Sequence, residues 1–276
     1  MNALNRSAGG AGLAAVLLLA AALLASCATV PTVPPKARSE LAPTGKLRAA
    51  INFGNPVLAQ RDQASGEPRG VSVDLADELA RRLGVPVELV TYNSAGRVFD
   101  ALKTGAWDVA FLAIDPARAT EIAFTAPYVI IEGIYLVPAD SPLRSIQDID
   151  REGVCVAVGN KSAYDLYLTR TLKRAQLVRV PTSAEALDVF LKDKLEAAAG
   201  VKQPLLQFAK THPNVRVIDG RFMIIEQAMG TPKGREAALL YLREFIEEMK
   251  ASGFVARGLE KSGQGDATVA PRATGQ

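Results

Sequence analysis

Two hydrophobic periods alternate along the central part of the chain. In some segments apolar residues recur at every second position or form short unbroken runs, which predicts β-strands. In the segments between them apolar residues recur every three or four positions, which predicts amphipathic helices. The predicted strands cover residues 46–53, 85–89, 108–114, 154–158, 176–180 and 195–201. The predicted helices cover residues 72–83 and 98–104, follow the capping patterns Ser162-x-x-Asp165 and Thr182-x-x-Glu185, and include Ala238, Leu242, Phe245, Ile246 and Met249.

Regular alternation of strands with helices is typical of the α/β class. Such chains form open, mainly parallel sheets with helices on both faces. Their ligands bind beside the carboxyl ends of the strands, so functional residues are expected in the loops that follow strands. The pattern extends over roughly 215 residues, from 45 to 261, which is enough for one large or two small domains.

The first 26 residues follow a different pattern. A single positive charge, Arg6, precedes an apolar run over residues 11–25, which is typical of a secretory signal peptide. The run is shorter than the roughly 20 apolar residues of a transmembrane helix. It ends in Leu24-Ala25-Ser26-Cys27, which resembles a bacterial lipobox whose cysteine receives lipid. The alternative is an ordinary signal peptide that happens to contain a cysteine.

Both flanks of the central pattern are poor in large apolar residues. Residues 27–44 contain Pro31, Pro34, Pro35 and Pro43, so they are predicted to form a semi-rigid tether. Residues 262–276 are rich in Gly, Ala and Thr and are predicted to be disordered.

Composition and motifs narrow the function classes. The formal charge of +3 is too small to indicate nucleic-acid binding. Cys155 lies in an apolar run, is predicted to be buried, and has no disulfide partner if Cys27 carries lipid. The one histidine, His212, is predicted to lie in an exposed loop. Because the sequence shows no metal-ligand spacing, phosphate loop or nucleophile elbow, we expect no metal, no cofactor and no catalytic activity.

Several short motifs occur in a fixed order between residues 45 and 259. In that order they resemble family 3 of the bacterial extracellular solute-binding proteins, the amino-acid-binding type. The motifs are Gly45–Arg48, Gly70–Ala76, Leu79–Val85, Asp115–Arg118, Phe124–Tyr128, Ser145–Ile149 and Val154–Val158.

The resemblance implies the two-lobed periplasmic-binding-protein fold of type II, in which two open, mainly parallel sheets are joined by two hinge strands. Lobe 1 would comprise residues 45–134 plus 226–261, and lobe 2 residues 135–225. The crossings would be Ile130–Ile134 and Ile224–Ala228, which resemble each other and are expected to lie side by side.

The resemblance also implies a ligand site between the lobes. The family's Pro-x-Arg arginine, here Arg118, would bind a ligand carboxylate through its planar fork. The alternative is a solvated arginine on a surface turn. Ser162 begins a helix, so it is an anion contact or a plain N-cap, and the two roles can coexist. The other contacts implied are Asn55 and Phe53, which could equally form an ordinary Asn-Pro turn, together with Tyr92, Ala113, Glu132 and Gln227.

Two departures from the family pattern leave the ligand class open. The segment before Pro-x-Arg, Phe111–Ile114, contains no hydroxyl group. Gly200-Val201 aligns where amino-acid binders have an acid for the ligand's ammonium group. Because an apolar residue cannot balance a buried ammonium, the α-amino site is incomplete unless Glu132 or Glu226 substitutes.

The resemblance implies a periplasmic or extracytoplasmic binding protein, anchored to a membrane through lipid on Cys27. It would capture a small polar, carboxylate-bearing solute (an amino acid or related organic acid) by lobe closure. The expected partner is the inner-membrane permease of an ABC importer; no nucleic acid is expected, and the protein should be a monomer. The alternatives are an enzyme resembling cyclohexadienyl dehydratase, with Glu132 or Glu226 as acid, and a sensory binding domain without transport.

Overall fold

The structure, a computed structural model, describes residues 33–274. The signal peptide, Cys27 and the start of the tether therefore lie outside the described residues. The helices are α1 Pro35–Leu41, α2 Val71–Leu83, α3 Ala95–Ala101, α4 Ala163–Thr171, α5 Ser183–Lys192, α6 Lys202–Thr211, α7 Glu236–Ala251 and α8 Phe254–Lys261. The strands are β1 Leu47–Asn52, β2 Gln60–Arg61, β3 Pro68–Arg69, β4 Val87–Tyr92, β5 Val109–Ala113, β6 Ile122–Pro138, β7 Cys155–Gly159, β8 Gln176–Val180, β9 Ala197–Val201, β10 Val215–Val217, β11 Met223–Pro232 and β12 Thr268–Val269.

The main sheet contains ten strands in the order β4-β1-β5-β11-β6-β9-β7-β8, with β10 and β12 also paired to β6. At one end β1 is parallel to β4 and β5, and helices α1, α2, α3, α7 and α8 surround these strands in a first lobe. At the other end β7 is parallel to β8 and β9, with α4, α5 and α6 in a second lobe. The predicted two-lobed α/β fold is confirmed.

Two long antiparallel strands join the lobes into one continuous sheet. β6 pairs with β11 through the middle of the molecule, where Ile131 lies opposite Ile225 and Glu132 opposite Ile224. β6 contains Pro127, which has no N–H to donate to a neighbouring strand. The proline is tolerated because it lies where the register between β6 and β11 shifts.

Each lobe has its own apolar core. In the first lobe the predicted face of α7 is buried against the sheet, including Leu242 and Phe245. In the second lobe Leu168 of α4 packs on one face of the sheet, and Phe190 of α5 packs on the other. Burying one such side chain contributes roughly 1.5–3 kcal/mol. The helices that cover the sheet therefore stabilise each lobe.

The predicted tether is wrong for residues 35–41, which form α1. Pro35 is compatible with the first turn of a helix, where no N–H bond is required. Ala37 and Leu41 are fully buried in the first-lobe core, and the Glu40 carboxylate accepts a hydrogen bond from the Ala238 N–H of α7. The two buried apolar side chains and the Glu40–Ala238 hydrogen bond therefore hold this segment in place, although its composition suggested an extended chain.

The predicted disorder of residues 262–276 is also wrong over the described part, which ends at residue 274. β12 pairs with β6, with Thr268 opposite Ile130 and Val269 opposite Val129. Ala267 and Ala270 on either side of the strand are buried. The tail is ordered because β12 hydrogen-bonds to β6, the long strand that links the lobes.

Two smaller features complete the fold. Cys155 is only half buried, because it begins β7 at the margin of the sheet, whereas the prediction placed it in the core. Among the helices from residue 33 to residue 274, none is both long enough and apolar enough to span a bilayer.

Candidate ligand site

The carboxyl ends of strands from both lobes meet at a narrow inner chamber. Asn52 of β1 and Ala113 of β5 line it from the first lobe, and Gly159 of β7 and Val201 of β9 line it from the second. Its volume is about 30 Å³. Since a water molecule needs at least roughly 10–15 Å³ measured this way, the chamber has room for about two, and the lobes are closely apposed around it.

A larger outer pocket of about 520 Å³ opens from the same cleft. Phe53, Leu187 and Leu205 give it an apolar lining, and it shares Tyr164 and Val201 with the inner chamber. Sites for small organic ligands typically measure about 300–1,000 Å³ and are mostly apolar. Chamber and pocket together therefore form one cleft with a polar inner end and an apolar outer end.

Arg118 lies at the inner end of this cleft. The Asp115 carboxylate accepts a hydrogen bond from the Ala117 N–H at 2.8 Å, which turns the chain after β5 into a short 3₁₀ helix that begins at Arg118. The arginine is only 1% exposed. Its Nη1 donates to the Ala113 carbonyl and its Nη2 to the Lys161 carbonyl of the second lobe, both at 2.9 Å. This burial excludes a solvated surface arginine.

The Arg118 guanidinium is a desolvated cation with unused donors. Burial lowers its pKa to about 10, and the negative charge of Asp115 opposes that shift only in part. The Asp115 carboxylate is itself engaged by Arg170 of α4 at 2.8 Å. Arg118 Nε has no hydrogen-bond partner within residues 33–274. A buried cation with a free N–H edge favours an anion, and a carboxylate matches the fork.

Ser162 takes the predicted N-cap position at the edge of the inner chamber. Its hydroxyl accepts a hydrogen bond from the Asp165 N–H at 3.1 Å, so it caps α4, and it also lines the inner chamber. The predicted capping box is only half formed, because the Asp165 carboxylate accepts from the Lys161 N–H instead of the Ser162 N–H. The start of α4 thus faces the cleft, where its dipole favours negative charge.

The structure brings together most of the predicted site residues. Asn55, Ala113 and Gln227 line the inner chamber with Arg118 and Ser162. Phe53 lines the outer pocket, where the Arg61 guanidinium lies 4.4 Å from its ring centroid.

Tyr92 and Glu132 lie away from the cleft, so including them in the site was wrong. Tyr92 packs against the apolar cluster beneath α3, beside Trp107. Glu132 accepts hydrogen bonds from Lys202 and Arg221 at a separate surface depression. Those bonds, first from Lys202 and then from Arg221, hold the pKa of the Glu132 carboxyl below its usual range. Asn93, the residue after Tyr92, lines the outer pocket instead, because neighbouring side chains of an extended chain face opposite sides.

Among the cleft residues that were absent from the sequence prediction, three lie close to Ser162 in the sequence or contact one another. Asn160 follows β7 and lines the inner chamber, whereas Tyr164 and Ser183 line both cavities. The Tyr164 hydroxyl donates to the Ser183 hydroxyl oxygen at 2.7 Å. Their position after the second-lobe strands was a usable signal, because ligands of open α/β sheets bind there.

Several polar contacts hold the two lobes together beside the cleft. Lys161 Nζ lies 2.7 Å from Asp100 Oδ1, and the Arg170–Asp115 pair crosses between the lobes. At Gly96 of α3 the backbones approach so closely that a Cβ atom would lie 2.9 Å from the Asn160 carbonyl oxygen. The structure therefore shows a closed arrangement of the lobes.

Residues 33–274 contain no cluster of three or more His, Cys, Asp or Glu side chains that could hold a metal ion.

A sequence model of one protein family matches residues 47–264, which cover both lobes and the cleft. The family is described as bacterial extracellular solute-binding proteins, family 3. The chain belongs to this family. Membership of this family accounts for the ordered motifs, the two lobes and the cleft at the strand ends.

Two curated relatives have names that denote different functions. The amino-acid-binding protein AabA of Dichelobacter nodosus is 22% identical over 195 residues, which are 69% of this chain and 77% of the relative. The membrane-bound lytic murein transglycosylase F of Idiomarina loihiensis is 26% identical over 252 residues, covering 88% of this chain. The match spans only 54% of that enzyme, so its activity does not transfer with the likeness.

Solved structures share the same architecture. The solute receptor for L-cysteine of Neisseria gonorrhoeae is 23% identical, with a TM-score of 0.71 over 82% of this chain and 92% of the receptor. This likeness shows the fold. The ancestral amino acid-binding protein AncCDT-1, a precursor of cyclohexadienyl dehydratase, is 25% identical, with a TM-score of 0.68 over 81% of this chain and 98% of that protein.

Proposed function

We propose that this protein is an extracytoplasmic solute-binding protein that captures a small carboxylate between its lobes and delivers it to an ABC importer. The observation that carries the proposal is Arg118. This buried guanidinium is the one charged side chain, among residues 33–274, that lines the inner chamber. Family membership and the relatives named as amino-acid-binding proteins support the same function.

Lobe closure would couple binding to delivery. Arg118, Asn55 and Gln227 belong to the first lobe and the central strands, whereas Ser162 begins a helix of the second lobe. A ligand that contacts both sides binds the closed state more tightly than the open state and shifts the population toward it. In the proposed division, residues 45–134 plus 226–261 form the first lobe, on which α1 also packs, residues 135–225 form the second lobe, and β6 and β11 are the hinge strands.

An enzyme function has less support at this site. Glu132 is held by Lys202 and Arg221 away from the cleft, and Glu226 is exposed. Neither carboxyl lines the chamber in which a reacting ligand would lie. Incubating the protein with a bound carboxylate and recording its NMR spectrum should show an unchanged compound, whereas turnover would favour the enzyme.

Carboxylate capture is tested with matched acids and carboxamides. We expect calorimetric titration to show binding of a small carboxylate and loss of at least about tenfold in affinity for its carboxamide, since a charge-assisted bond contributes roughly 1.5–3 kcal/mol. Deleting the gene should also abolish uptake of that carboxylate. Equal affinity for acid and amide would contradict the proposal, and unchanged uptake would favour a sensory domain.

We also propose that Cys27 carries a lipid anchor, because Leu24-Ala25-Ser26-Cys27 ends the apolar run of the signal peptide. Cys27→Ser is expected to move the protein from the membrane fraction to the soluble extract, as judged by fractionation and immunoblotting. Cys155→Ser is the matched control and should leave the distribution unchanged. A Cys27→Ser variant that still needs detergent for release would contradict the anchor.

A further inference from the structure

The inner chamber has an unbalanced charge. Among the described residues that line it, Arg118 is the only charged one, and none is Asp or Glu. The nearby Asp115 carboxylate is occupied by the Ala117 N–H and by Arg170. The chamber therefore presents one buried positive charge and no negative charge.

This single positive charge favours a ligand carboxylate and disfavours an ammonium group beside that carboxylate. In an α-amino acid the ammonium is on the carbon next to the carboxylate, so both groups would enter the same small chamber. There the ammonium would be desolvated, close to Arg118, and without a carboxylate partner, which is costly for a buried charge. Glu132 and Glu226 cannot supply the partner, because neither lines the chamber.

The neutral polar groups of the chamber point to the substituent that it accepts. Asn55 is 6% exposed, and its side-chain Oδ1 has no hydrogen-bond partner within the described residues. Gln227 is 5% exposed and lines the same chamber. A side-chain amide offers an acceptor or, turned over, a donor. It can therefore satisfy an uncharged hydroxyl or carbonyl oxygen next to the carboxylate, whereas it carries no negative charge to balance an ammonium.

The outer pocket describes the rest of the ligand. Phe53, Leu205 and Val201 give it an apolar wall large enough for a branched or aromatic side chain. Its acidic residues, Glu185 and Asp188, are exposed at the rim and remain solvated. We infer that the ligand is an α-hydroxy or α-oxo carboxylate with an apolar body, and not an α-amino acid; this inference rests on the carboxylate capture proposed above.

The test compares ligands that differ only at the carbon next to the carboxylate. Phenylalanine, phenyllactate and phenylpyruvate form one set, and leucine with its α-hydroxy and α-oxo analogues forms the second. In at least one set, calorimetric titration should show the hydroxy or oxo acid binding at least about tenfold more tightly than the amino acid, a difference of about 1.4 kcal/mol.

The outcomes separate this inference from the proposed function. Tighter binding of phenylalanine or leucine would overturn the inference and leave carboxylate capture intact. Binding by no member of either set would also overturn it, because the class it names would be excluded. Failure of carboxylate capture itself appears only in the acid–carboxamide comparison, where acid and amide would bind equally.

A pair of variants tests whether the lack of a negative charge in the chamber causes the preference against amino acids. Val201 lines both cavities and occupies the N-cap position of α6 without a side-chain cap. Asp and Asn are both favoured at an N-cap, so Val201→Asp and Val201→Asn should fold. Val201→Asp is expected to shift the preference toward the amino acid at least about tenfold more than Val201→Asn, which adds a side chain of similar size and polarity but no negative charge. No shift in Val201→Asp would overturn the inference.

Discussion

Arg118→Met is expected to weaken carboxylate binding by roughly 30-fold to several thousand-fold. Removing one partner of a buried, hydrogen-bonded charge pair typically costs about 2–5 kcal/mol, and each 1.4 kcal/mol is tenfold in affinity. Methionine keeps the apolar stem but removes the charge and every N–H donor. Calorimetric titration with the same carboxylate measures the loss directly.

The stability of the ligand-free protein separates binding from structure in this variant. Replacing Arg118 removes donors to the Ala113 and Lys161 carbonyls, which destabilises the closed fold. It also removes a fully desolvated charge, which stabilises it. Because the effects oppose each other, the thermal midpoint should change by only a few degrees.

Arg118→Lys is the conservative control and should recover part of the affinity, since an ammonium keeps the charge but lacks the fork. Unchanged affinity in Arg118→Met would remove this residue from the site. A collapse of the ligand-free midpoint by more than about 10 °C, beyond what a 1 kcal/mol change produces in a protein of this size, would show that its role is structural.

Gly96→Leu is expected to hold the lobes apart and to weaken binding by about 100-fold or more. A Cβ atom at this position would lie 2.9 Å from the Asn160 carbonyl oxygen and 2.9 Å from the Lys161 Cβ. The first of these atoms is backbone and cannot rotate away, so a larger side chain must separate the surfaces. Affinity falls because the closed, binding-competent state is populated less.

The fold itself should tolerate this change. Gly96 lies inside α3, where leucine is a better helix former than glycine by up to about 1 kcal/mol. With saturating carboxylate present, small-angle scattering should therefore show a larger radius of gyration than for wild type, and the thermal midpoint without ligand should not fall. Lys103→Leu, at an exposed position just beyond α3, is the matched control and should change neither the radius of gyration nor the affinity. A Gly96→Leu variant with wild-type scattering and affinity would contradict closure.

Local patterns predicted most of the fold because they report local physics. The strand predicted at 176–180 coincides with β8, and the hydroxyls of Ser162 and Thr182 cap α4 and α5 as their spacing indicated. Each of these features depends on residues within a few positions of one another.

Two of the segments that were missed depend on distant partners. α1 is stable because Leu41 is buried in the first-lobe core, and β12 is ordered because it pairs with β6. Neither segment contains enough apolar residues to show a period of its own. Composition alone therefore indicated a tether and a disordered tail.

Site residues could be predicted where they belong to a recognisable motif. They could not be predicted on a strand whose two faces are both buried. Arg118 follows a recognisable motif, and the structure places it in the cleft. Glu132 lies on β6, whose faces are both largely covered, so alternation does not reveal which side chains reach the ligand. Tyr164 of α4 and Ser183 of α5 follow second-lobe strands, which signals proximity to the cleft, but their mutual hydrogen bond joins residues 19 positions apart and depends on the folded chain.

The measurement that tests the central claim most directly is retention of a solute by the folded protein. Wild type and Arg118→Met are each incubated with a mixture of small carboxylates, desalted, denatured and analysed by negative-ion mass spectrometry. Our account predicts that at least one carboxylate is enriched on wild type and that Arg118→Met retains none above background. Equal retention by both proteins, or no enrichment on wild type, would contradict carboxylate capture by the cleft.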